Sequence, residues 1–232
     1  VVVNVTSDKC YDNPPGRHPR PFAESDPKGG YDPYSSSKGC AELVTEAYQR
    51  SFFDGADAPR LASARAGNVI GGGDWGEDRL IPDVMRGAVA GEPIRIRNPE
   101  AVRPWQHVLN PISGYLVLAQ ALADSPQAAG GWNFGPHLRD ARPVRWIADR
   151  LTERWPDPLH WDMDPGPHLH EAHFLALDSA KASERLGWRP VWDLEPTLEA
   201  IVEWYLALRD GSSPRTSTLG QIERFAAQEA WR

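Results

Sequence analysis

The chain has 232 residues, 41% of them hydrophobic, with a formal net charge of -7 and no dense Lys/Arg cluster. That is enough apolar material for a real core in one or two domains, and it argues against a nucleic-acid or anionic-membrane partner. No apolar stretch approaches the length of a membrane span, and two cysteines, Cys10 and Cys40, are too few for a disulfide scaffold and are expected to be free thiols in a reducing, cytoplasmic compartment.

The first residues, Val1 to Val5, are mostly β-branched and apolar on both faces, which predicts a central strand of a parallel sheet. The strand runs directly into Ser7, Asp8 and Lys9. A loop rich in Pro and Gly follows from Asp12 to Tyr31, long enough to be functional rather than a plain connection. In the next segment Cys40, Leu43, Val44, Ala47 and Tyr48 fall at helical spacing and give one apolar stripe. "RLASARAGNVIGGG" predicts a second buried strand feeding a glycine-rich loop. A helix is expected near Leu80, and then a short strand in "IRIRN". Further helices are predicted around Ile112 to Ala123, Val144 to Trp155, Ser179 to Leu186 and Thr197 to Leu208, with a strand in "WNFG". Strands and helices alternate, so the fold class is α/β.

In "YDPYSSSKG", Tyr34 and Lys38 stand one helical turn apart and share a face at the start of their helix. An ammonium beside a phenol favours the phenolate that a general base needs. Alone, that spacing is commonly a solvated helix face. Preceded by Ser7 at the end of a buried strand, it resembles the Ser/Thr, Tyr, Lys constellation of the short-chain dehydrogenase/reductase superfamily. "TSDKCY", "GGYDPYSSSKGCAEL", "ARAGNVIGGGDW", "RPWQHVL" and "HEAHFLALD" occur in the order found in the superfamily's extended branch of sugar-nucleotide 4,6-dehydratases, and the similarity covers nearly the whole chain.

The resemblance implies an NAD-dependent enzyme acting on CDP-glucose or a related nucleotide sugar, homodimeric at full length. It implies oxidation at C4, loss of water across C5 and C6, and return of hydride to C6. Tyr34 would remove the 4-hydroxyl proton, with Lys38 tuning it and both contacting the cofactor. Ser7 would hydrogen-bond the 4-oxygen, and Asp8 would protonate the departing 6-hydroxyl, which requires a carboxyl still protonated in its site. Lys9 stands where better-known relatives carry Glu, and serves either as the C5 base, if neutral, or as a cation beside the enolate. Asn68, Leu80, Arg103 and His173 would bind substrate, with Arg103 gripping the diphosphate. Trp75 and Trp105 are the tryptophans best placed to meet a ligand. Crowding of His168, His170 and His173 invites a metal reading, but the spacing is no recognised ligand set and no metal is expected.

A Gly-rich dinucleotide turn normally precedes the Ser/Thr strand in this family. Gly71, Gly72 and Gly73 align with the substrate loop instead, so the N-terminal half of the enzyme is expected to be missing, NAD to be held mainly by that half, and this chain alone to be inactive. The expected architecture is the C-terminal half of a doubly wound Rossmann-type parallel sheet, residues 1-70 and 106-136, with a smaller α/β substrate-binding domain of residues 71-105 and 137-232. Two competing readings stay open. One is a sugar-nucleotide 4-epimerase, which shares the Tyr and Lys; the other is a non-catalytic fragment that at best binds a sugar nucleotide.

Overall fold

The structure, a computed structural model, describes residues 1–14, 20–53, 55, 57–166 and 174–228. A parallel sheet in the order β1-β2-β7 is made by β1 (Val2–Val5), β2 (Leu61–Arg65) and β7 (Gly130–Asn133). Between β1 and β2 the chain crosses over through α1 (Pro33–Phe52), and α3 (Leu109–Asp124) lies between β2 and β7. Asp32 starts α1 as its N-cap, accepting the Ser35 amide at 2.9 Å, and Pro33 occupies the first turn, where its missing N–H costs nothing.

Alternation along β2 sorts its side chains onto two unlike faces. Ala62 and Ala64 join Leu118, Leu122, Trp132, Phe134 and Trp188 in an apolar cluster under α3. Ser63 and Arg65 turn the other way and bond Glu42 on α1. The predicted apolar stripe of α1 points outward: Cys40, Leu43, Val44, Ala47 and Tyr48 are exposed, whereas Ser35, Gly39, Glu42 and Thr45 are buried.

The rest of the chain builds a second core. In it α2 (Leu80–Ala90), α4 (Val144–Arg154) and α6 (Leu194–Arg209) enclose Val84, Met85, Ile147, Leu151, Leu198 and Ile201. Then α5 (Ala180–Leu186) packs on β7, and α7 (Pro214–Gln228) lies along α6 through Trp192–Phe225 and the Gln221 Nε2 to Ala200 O bond of 2.7 Å. Six short strands pair off in twos: β3 (Val69–Ile70) with β6 (Gln106–His107), β4 (Ile94–Ile96) with β9 (Trp161–Met163), and β5 (Val102–Pro104) antiparallel to β8 (Ala141–Pro143).

Two expectations are corrected here. Val2–Val5 is not central but at one edge of the β1-β2-β7 order, with Val2 and Val5 half exposed; within that sheet the strand buried at every position is β2. The architecture is also not half of a doubly wound sheet plus a small α/β domain. Ribbons of two or three residues are too short to form a sheet layer, so the C-terminal part is held by its helices.

Candidate active site

Ser7 ends the β1 segment and caps a single 3-10 turn, Asp8–Cys10, accepting the Lys9 amide at 3.2 Å while its hydroxyl donates to Asp8 Oδ1 at 3.0 Å. Asp8 is 3% exposed, its amide is held by the Ala66 carbonyl at 3.1 Å, and among the described residues its Oδ2 has no hydrogen-bond partner. Burial pushes its carboxyl up to about 6, against the pull of Lys9, Ser7 and Arg103. Gly67 makes this possible, since a Cβ there would come within 1.8 Å of Asp8 Oδ2.

The Asp8–Cys10 turn packs directly on α1, which presents an exposed Tyr34 and a half-exposed Lys38, its Nζ 5.6 Å from the Tyr34 ring centre. Lys9 lies within electrostatic reach of both Asp8 and Asp32, the cap of α1. Asn68 directly follows Gly67 with φ of 39°, and its carbonyl accepts the Gln106 amide at 3.3 Å. Arg103 is buried in β5, donates to Val102 O at 2.9 Å and acts on the Asp8 charge. Leu80 is set apart, packed on the apolar core of the helical part. His173, with the neighbouring His168 and His170, lies outside the described residues. Trp75 is exposed; Trp105 is buried with its indole N–H given to Arg142 O at 2.9 Å, so it is a packing residue.

Behind the turn lies a polar network that the sequence reading passed over. Glu42 takes hydrogen bonds from the Thr6 hydroxyl, from Ser63 Oγ at 2.7 Å and from Arg65 Nη2 at 2.5 Å. Arg65 Nη1 continues to the Tyr11 hydroxyl at 2.8 Å, which donates to Asn133 Oδ1 at 2.7 Å. Arg65 and Glu42 hold each other charged; burial works against both charges, and their mutual bond overrides it, raising the arginine and lowering the glutamate. The available signal was a charged residue closing an otherwise apolar strand, which must find a buried partner. Tyr115 on α3 was also missed; burial and the nearby Asp8 push its phenol up to about 12.

Tyr34 and Lys38 leave an open hydroxyl and amine beside the Asp8 turn, a donor set that fits the ribose hydroxyls of a dinucleotide. The Gly71–Gly73 run is not a phosphate cradle, because a Cβ on Gly72 would meet the Trp204 ring at 2.2 Å: the space is already filled.

The sequence model of the NAD dependent epimerase/dehydratase family matches residues 1–133. The chain is 52% identical over 212 residues to the CDP-glucose 4,6-dehydratase of Salmonella typhimurium, covering 89% of this chain and 58% of that protein. It is 28% identical to the dTDP-glucose 4,6-dehydratase of Neisseria gonorrhoeae, covering 80% of this chain and 54% of that one. Among solved structures it superimposes on the NAD complex of dTDP-glucose 4,6-dehydratase from Bacillus anthracis with a TM-score of 0.70 at 20% identity, over 91% of this chain and 63% of that one, a likeness of fold. The chain thus spans 54% to 58% of the length of these curated relatives.

The family match corrects the expectation that the region holding NAD lies mainly outside this chain. It begins at residue 1 and carries the strand, turn and helix that hold Ser7, Tyr34 and Lys38, so the region matching this NAD-dependent family is the N-terminal part of this chain. The assignment of NAD mainly to a missing half is corrected with it. Within the chain β1 pairs in parallel with β2, joined to it through the crossover helix α1.

Proposed function

The chain belongs to the NAD dependent epimerase/dehydratase family, and from that premise we propose that the protein is a CDP-glucose 4,6-dehydratase, converting CDP-D-glucose to CDP-4-dehydro-6-deoxy-D-glucose. The observation that carries the reading is Asp8: a carboxyl buried beside Tyr34's helix, with one oxygen unpartnered among the described residues and the group pushed up to about 6, is a proton donor held ready near neutral pH. The 52% identity to the Salmonella enzyme supports the choice of nucleotide.

NAD, when bound, supplies the acceptor and later the donor of hydride. Tyr34 takes the 4-hydroxyl proton, and Lys38 holds ribose hydroxyls and favours the phenolate. Ser7 has one hydroxyl proton, now given to Asp8. When Asp8 carries its own proton, the Ser7 donor is released for the sugar 4-oxygen and Asp8 can protonate the leaving 6-hydroxyl. Lys9, in the same turn, is the base for C5 or the cation beside the enolate. Asn68 and Arg103 bind the diphosphate side of the substrate, Leu80 contributes through its backbone at the start of α2, and His173 is placed with them by resemblance alone. The exposed stripe of Leu43, Val44, Tyr48 and Phe52 supports a homodimer through α1. Among the described residues no helix is long and apolar enough to cross a membrane, and the two free cysteines support a cytoplasmic site of action.

The test is incubation with CDP-glucose and NAD followed by product mass and proton NMR. Loss of one water with a new C6 methyl signal is expected. An epimerised sugar of unchanged mass, or no reaction, overturns the reading.

A further inference from the structure

Five arginines lie between residues 139 and 154, and four are matched to carboxylates: Arg139 to Asp193, Arg145 to Glu100, Arg150 to Glu153 and Glu195, and Arg154 to Glu195. Arg142 is the exception. Among the described residues it makes no ion pair, and it is exposed. Its place is nevertheless fixed. Its carbonyl accepts the Trp105 indole at 2.9 Å, and its guanidinium sits 5.4 Å from the ring centre of Trp146, which also carries Arg150 at 5.3 Å. Stacking of this kind limits the freedom of a long side chain before any ligand arrives.

Directly across the antiparallel β5–β8 ribbon from Arg142 stands Arg103. Residues opposed in this way share a face, with Cβ atoms about 4.5–5.5 Å apart, and like charges so placed disfavour the pairing. Only three residues on each strand are paired in this ribbon. An anion with two charged groups, bridging the guanidiniums, turns that repulsion into attraction. Arg103 is also near enough to Asp8 to act on its charge, so the ribbon leads outward from the proposed acid.

We propose that Arg142 is a second diphosphate-binding residue, closing with Arg103 a two-guanidinium clamp across the β5–β8 ribbon. The identity of the ligand rests on the nucleotide-sugar reading above; the clamp itself requires only a diphosphate. Neither neighbouring helix-terminal amide competes for the anion, since Val144 N and Arg145 N donate to Ala101 O and Pro99 O at 3.0 and 2.9 Å.

The experiment is calorimetric titration of the full chain with CDP, and with inorganic pyrophosphate as competitor, for wild type, Arg142→Met, Arg142→Lys and Arg145→Met. Methionine keeps an apolar stem against Trp146 and removes the charge. Arg142→Met is expected to weaken CDP by about tenfold or more and to blunt competition by pyrophosphate, as loss of a charged hydrogen bond implies. Arg142→Lys should recover part of the affinity, and Arg145→Met, whose guanidinium is already paired with Glu100, should bind as wild type. Equal CDP affinity in wild type and Arg142→Met overturns the clamp, as does failure of the wild-type chain to bind CDP and pyrophosphate. Arg142-dependent CDP binding without dehydration of CDP-glucose leaves the clamp standing and removes the dehydratase reading; dehydration with unchanged KM in Arg142→Met does the reverse.

Discussion

On one face of the β1-β2-β7 sheet, Ala62 and Ala64 pack under Leu118 and Leu122 of α3; on the other, Ser63 and Arg65 reach Glu42 of α1 through hydrogen bonds. Apolar contacts are non-directional and tolerate small slides of one element over another. Charge-assisted bonds between a carboxylate and a planar guanidinium are satisfied in few arrangements. The helix carrying Tyr34 and Lys38 is on the bonded side, with Thr6, the residue before Ser7, bound to the same Glu42. The difference teaches that bulk stability comes from the α3 face, while the position of α1 relative to the Ser7–Lys9 turn is set by the polar one.

The polar face is most sensitive at Glu42. Glu42→Gln leaves the Arg65 charge buried and uncompensated, which should cost about 3–5 kcal/mol in urea unfolding. Leu118→Ala on the opposite face should cost about 2–5 kcal/mol through its cavity. A paired Glu42→Leu and Arg65→Met replacement separates the two faces further: stability should return to near wild type, while the proposed turnover of CDP-glucose stays depressed because the register of α1 is no longer bonded. Full turnover in the paired variant would show that the polar face only holds the fold together.

A smaller effect concerns pH. Asp8 is raised in the folded state from its ordinary value to about 6. The folded protein therefore binds this proton more tightly than the unfolded chain does, so the associated stability is fully present below the ordinary carboxylate value and is lost as pH rises through about 6. Asp8→Asn should flatten the stability profile over that window, removing an effect on the order of 2–3 kcal/mol. A profile identical in wild type and Asp8→Asn would show that the carboxyl is not perturbed. The smallest effect belongs to the outward stripe: Leu43→Gln should change monomer stability by less than about 0.5 kcal/mol, because the side chain is exposed. A larger loss that grows with protein concentration would place a second copy on that stripe.

Much of the element order was legible. Helical spacing marked α1 and the later helices through α6, because an apolar stripe is a local pattern, and the buried strand of Leu61–Arg65 stood out as an unbroken run. The short strands β3, β5, β6, β8 and β9 and the last helix were not, since two or three residues carry no periodicity and α7 has a weak apolar face. The direction of the α1 stripe was illegible for a different reason. A pattern shows that a helix has two faces, and the partner decides which one turns inward.

By itself the sequence determined the α/β class, the order of its long elements, and the adjacency of Ser7, Asp8 and Lys9 and of Tyr34 and Lys38, because these are properties of neighbouring residues. Tertiary structure alone decided that β1 is an edge strand, that Glu42 and Arg65 form a buried pair between helix and sheet, and that Arg142 stands opposite Arg103. Those facts depend on residues 23 and 39 positions apart meeting in space. Burial, which moves the Asp8 carboxyl, and register, which opposes two arginines, are set by the surroundings that folding supplies.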